Sequence, residues 1–82
     1  MTFVVGDVVL YRGALGSAHL EHAAIITNVD PQHPGMAFVN ASLMVFVEGM
    51  QGAPLWSVPL YQTREQALAA AHLHIAYPKE KP

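Results

Sequence analysis

The densest run of residues able to hold a metal ion or move a proton is H-L-E-H, comprising His19, Glu21 and His22. Zinc-protease chemistry puts two histidines four apart on one helical face, with a glutamate beside them as general base. Here the histidines are three apart, at the junction of a loop and a strand, and no third or fourth ligand follows nearby. A zinc site needs three or four protein donors, so this cluster reads as a solvated junction, and the sequence calls for no metal and no cofactor. His72 and His74 are two apart. On a helix that spacing sends them to different faces, where they read as partly buried polar groups near a C-terminus whose dipole favours a protonated imidazole. His33 lies in a proline-rich turn and reads as exposed. GALGS at 13–17 has glycines but neither the lysine nor the following helix of a phosphate loop. The hydroxyls of Ser17, Thr27, Ser42 and Ser57 lack a nucleophile elbow and an aspartate–histidine pairing, and the absence of cysteine removes thiol nucleophiles and thiolate metal sites. No constellation of catalytic residues emerges, and the expectation is a protein that is not an enzyme.

The elements that would position these residues are mostly strands. Phe3 to Val5 and Asp7 to Arg12 are valine- and aromatic-rich with Gly6 between them, as in a strand with a kink or a bulge. Residues 13–21 read as a loop, and His22 to Val29 as a β-branched second strand ending in the turn DPQHPG at 30–35. Phe38 to Asn40 and Leu43 to Glu48 form a strand pair or one long bent strand, apolar on both faces in LMVFV. After the turn GMQGAP at 49–54, Trp56 to Tyr61 predicts a last strand, which Pro59 restricts to an edge or a bulge. TREQ at 63–66 matches a capping box, and alanine and leucine with Leu68, Ala71, His72 and Ile75 on one face predict a helix from Arg64 to about Ala76, stopped by Pro78. The organisation expected is a barrel over 1–62, a helix over 63–76 on that barrel or on a neighbour, and a tail over 77–82. The fold class is mainly β: a small SH3-like antiparallel barrel with one C-terminal helix, with a flat meander covered by the helix as the alternative.

Trp56 and the aromatics Tyr11, Phe38, Phe46 and Tyr61 could line a peptide groove of the kind SH3 domains use. A core this small claims most of them, and Trp56, following a Gly/Pro turn, is the one best placed to anchor a partner. The composition points to partners as well. The chain has 82 residues, 52% apolar and 12% charged, about half the usual charged share of about 25%. So few charges on so small a domain predict apolar surface set against another molecule. Net charge is −2, and before residue 63 Arg12 is the sole Lys or Arg, which argues against nucleic acid. Leu43 to Val47 is far short of the roughly 20 residues that span a bilayer, and no basic segment precedes an apolar run at the N-terminus. The expectation is therefore no membrane association and no export.

GDVVLY at 6–11, HAAIITNV at 22–29, VNASLMVFVEG at 39–49 and WSVP at 56–59 together resemble the small SH3-like proteins encoded by tailed bacteriophages. The likeness runs from Gly6 to about Leu60; Glu21-His22 stands where many of those proteins have Cys-Arg, and the segment after Thr63 is an addition. It implies a virion protein made in the host cytoplasm, most simply a capsid decoration or cement subunit. Its partners would be the major capsid or connector protein and further copies of itself, and the interface candidates are Leu43, Val45, Phe46, Trp56, Leu15 and Met50. A neck or tail accessory role, and a small intracellular adaptor, are the alternatives. A second similarity, to papain-like cell-wall hydrolases with His22 in the place of their catalytic histidine, lacks the cysteine nucleophile.

Overall fold

The computed structural model describes residues 3–13, 21–31, 34–46, 52–70 and 74–79. Five strands close into a barrel: β1 (Val8–Arg12), β2 (His22–Val29), β3 (Phe38–Val45), β4 (Ala53–Tyr61) and β5 (Ile75–Pro78), with α1 (Arg64–Ala69) between β4 and β5. This is the architecture of a small SH3-like barrel, mainly β with one short helix near the C-terminus. Neighbouring strands are antiparallel except β4 and β5, which meet in parallel through Leu60 and Ala76.

Before β1 the chain turns at Val4–Asp7: the Asp7 amide donates to the Val4 carbonyl at 3.1 Å, and Gly6 takes a φ of 97° at the third position of the turn. The kink expected at Gly6 is thus a turn in a conformation that glycine adopts without steric cost. Beyond it, Gly6 N–H and Ile26 N–H extend the pairing of β1 with β2. At the other end of β1, a Cβ on Gly13 would collide with His74 and come within 2.8 Å of the Tyr11 hydroxyl, so close approach of β1 and the entry to β5 requires glycine there.

β3 is one strand, not two. Its register slips against both neighbours: Thr27 is an extra residue of β2 between Ile26 and Asn28, and Trp56 with Ser57 face Ser42 alone on β3. A bulge bends its strand and increases its twist, which is what closing a sheet of five short strands demands. It also resets which side chains face inward. Leu55 and Val58, three apart, both pack on the interior, and so do Ile26 and Val29, while the intervening Trp56–Ser57 and Thr27–Asn28 are exposed. Ser57 takes the positive φ (57°) that this arrangement imposes.

The interior holds Val9, Tyr11, Ala24, Ile26, Ala41, Leu43, Val45, Val58, Leu60 and Ala76. Leu43 and Val45 are therefore core residues, 1% and 0% exposed, and cannot meet a neighbour as their place among the interface candidates required. A second, smaller core lies outside the barrel wall, where α1 places Ala67 against Tyr61, Ile75 and Tyr77, flanked by Leu10 and Phe38.

The helix departs from expectation. Thr63 caps it as predicted, its hydroxyl accepting from the Gln66 amide at 3.1 Å, but it ends at Ala69, and Ala70 is already extended. The sheet does not stop at Tyr61: Ile75–Pro78 is a strand that pairs along the free edge of β1, from Arg12↔Ile75 to Val9↔Pro78. Helix propensity is a matter of tenths of a kcal/mol per residue, whereas β5 satisfies a whole strand edge and buries Ile75 and Tyr77 on one face and Ala76 on the other. Pro78 thus ends a strand.

Candidate docking face and charged cleft

β2, β3 and β4 contain no Asp, Glu, Lys or Arg. An antiparallel sheet with one solvated face ordinarily alternates apolar and polar residues, so a wall without charge leaves its outward positions to apolar and small polar side chains. Cross-strand pairing lines them up: Val8 stands opposite Ile25, Ile25 opposite Met44, and Met44 opposite Pro54, a continuous row across four strands. Val8 is 58% exposed. Next outward on β4 is Trp56, 69% exposed because alternation after the inward Leu55 turns it out, and just beyond β3 is Phe46 at 47%. Gly52 leaves space beside them, for a Cβ there would sit 2.9 Å from Met44 Sδ and 3.3 Å from a Phe46 ring carbon. The barrel closes where β4 meets β5 at Leu60 and Ala76, and the row presents its side chains on the outer face of the wall.

The outward face of β1 continues from Val8 to Leu10, and there its chemistry changes. An open cleft of about 310 Å³ is lined by Leu10, Glu21, Arg64, Tyr77 and Lys79. The Tyr77 hydroxyl donates to Glu21 Oε2, and Arg64 Nε donates to the same oxygen at 3.1 Å. The Tyr77 hydrogen bond, then Arg64, and Arg12 through space hold the Glu21 carboxyl below its usual range against the opposing cost of burial. Burial first, and the neighbouring carboxylate second, push the Tyr77 phenol above its usual range. Burial alone raises Tyr61. This group of residues was missed by sequence reasoning, and nothing local would have revealed it: Glu21 lies 56 residues from Tyr77 and 43 from Arg64.

The other predicted site residues separate. His22 follows Glu21 but serves a different side of the wall: its Nε2 is buried with no hydrogen-bond partner, while Glu21 is engaged in the cleft. The two therefore do not converge on one ion, and among the described residues no group of three potential ligands forms. His74 packs edge-on against Tyr11, ring centres 6.1 Å apart. Thr27, Ser42 and Ser57 are residues of the two bulges. Leu15 and Met50 of the interface candidates, with Ser17, His19, His33 and His72, lie outside the described residues. Among the described residues no helix is long and apolar enough to cross a membrane. No family model, curated protein or solved structure matches the chain.

Proposed function

We propose that this chain is a non-catalytic docking subunit that binds a partner protein through the outer face of its barrel, with Trp56 as the anchor. The carrying observation is the uncharged row Val8–Ile25–Met44–Pro54 with exposed Phe46 and Trp56 beside it. Apolar area removed from water contributes about 25 cal/mol per Å², and an aromatic at the centre of such a patch typically dominates binding. The bacteriophage-like strand motifs favour a virion as the setting. In that reading the chain is a capsid decoration or cement subunit bound to the shell, repeated with the shell's symmetry and associating with its own copies.

Quantitative mass spectrometry of particles purified from the phage whose genome carries this sequence tests the setting. A near-stoichiometric ratio to the major shell protein supports decoration. A low fixed ratio moves the chain to the neck or tail, and absence from the particle overturns the virion reading in favour of an intracellular adaptor. The docking face is tested separately by Trp56→Ala. The variant is expected to stay folded and to lose particle binding; retained binding overturns the anchor.

A further inference from the structure

The cleft adjoins the docking face. Leu10 and Val8 are successive outward residues of β1, and the Val9↔Pro78 pairing sets Lys79 beside Val8 at the border between the two surfaces. Three of the chain's four Lys and Arg residues gather here: Arg64 and Lys79 line the cleft, and Arg12 is close enough to act on Glu21. Among the described residues one carboxylate, Glu21, faces them, so their cluster carries an excess of positive charge in a chain whose net charge is −2. Glu65, the next helical residue, is exposed and does not line the cleft.

Glu21 does not exhaust these donors. A guanidinium has five N–H groups in a planar fork. Arg64 reaches Glu21 through Nε, with the Tyr77 hydroxyl beside it, and that contact fixes the plane of the fork while leaving further N–H groups uncommitted. Lys79 adds an exposed residue with an ammonium, and Leu10, lying over the buried Tyr77, supplies an apolar wall. An oriented Arg fork, a lysine and an apolar wall fit a carboxylate carried on a short aliphatic stem.

We infer that the cleft receives an acidic side chain, glutamate or aspartate, of the protein that docks on the neighbouring apolar face. The stem covers Leu10, and the carboxylate meets Arg64 and Lys79. The inference rests on the docking reading for the source of the carboxylate, while the site itself can be tested without any partner. Glu21 has a positioning role, since it orients Arg64 and does not itself touch the ligand.

The test is a titration of the ¹⁵N-labelled full chain with glutamate blocked as its N-acetyl α-amide, at constant ionic strength. Saturable shifts confined to Leu10, Arg64, Tyr77 and Lys79 are expected. Lys79→Ala and Arg64→Lys, the latter keeping a cation for Glu21, should each weaken binding about two- to fivefold, with spectral dispersion confirming the fold. Equal shifts from blocked glutamine or from chloride would overturn the site. Tighter binding of inorganic phosphate would overturn the carboxylate assignment, and tighter binding of N-acetylglycine would replace the side chain by a chain terminus. Because Trp56→Ala reads docking on its own, failure of this titration and failure of the docking reading give different results.

Discussion

At the scale of single residues, the Glu21 clamp makes stability depend on pH at both ends of the range. Glu21 has a folded-state pKa below its ordinary 4.5, so its contribution is present above that value and is lost as pH falls through the folded pKa. Tyr77 has a folded-state pKa above its ordinary 10.0, so stability is undiminished below that value and is lost as pH rises beyond it. Urea unfolding followed across pH should show a plateau between these limits and a decline on either side. Tyr77→Phe removes the donor that lowers Glu21 most. It should cost about 1 kcal/mol near neutrality and flatten the acidic decline; an unchanged acidic limb would show that the hydrogen bond does not control Glu21. Trp56 behaves oppositely, for its side chain is mostly exposed. Trp56→Ala should change the free energy of unfolding by no more than about 0.5 kcal/mol, which calorimetry can check alongside the binding assay.

At the scale of elements, the bulges and β5 decide what the barrel presents. Ser57 holds a left-handed backbone that disfavours side chains with a Cβ by roughly 1–2 kcal/mol. Ser57→Gly is expected to stabilise the fold by about 0.5–1 kcal/mol in denaturant titration, the gain being reduced by glycine's greater freedom in the unfolded chain. A loss of stability would mean that the Ser57 side chain matters more than its backbone. For β5 the informative residue is Ala76, fully buried in the barrel interior opposite Tyr11. Ala76→Asp places an unpaired charge there and should cost about 3 kcal/mol or more. If residues 75–78 instead continued an exposed helix, the same change would be mild, so equilibrium unfolding separates the two arrangements.

At the scale of the molecule, two surfaces of unlike chemistry lie side by side, and salt tells them apart. Charges separated by more than about 10 Å in water are screened at 0.1 M ionic strength, whereas apolar burial is not weakened by simple salts. Self-association or shell binding through the uncharged wall should therefore persist in high salt when followed by light scattering, while carboxylate binding in the cleft should weaken. Association that dissolves in high salt would show that charge, not the apolar row, holds the complex. The division follows from composition: β2, β3 and β4 are without Asp, Glu, Lys and Arg, so the cations among the described residues collect on β1, α1 and the end of β5.

Much of this molecule was local and therefore legible. The β-branched runs of β1 and β2, a break in the strand at Gly6, the Thr63 cap and the exposure of Trp56 all rest on backbone preferences and near neighbours in the chain. The charge-poor composition likewise pointed to an apolar surface before any strand was placed. Tertiary structure decided the rest. Leu43 and Val45 moved from interface to core because alternation fixes two faces of a strand but not which one is inside. Ile75–Pro78 became a strand because β1 offered an unpaired edge, a long-range gain larger than the small local preference for helix. Glu21, Arg64 and Tyr77 met for the same reason: the closing strand brings to one place residues whose separation in sequence carries no signal.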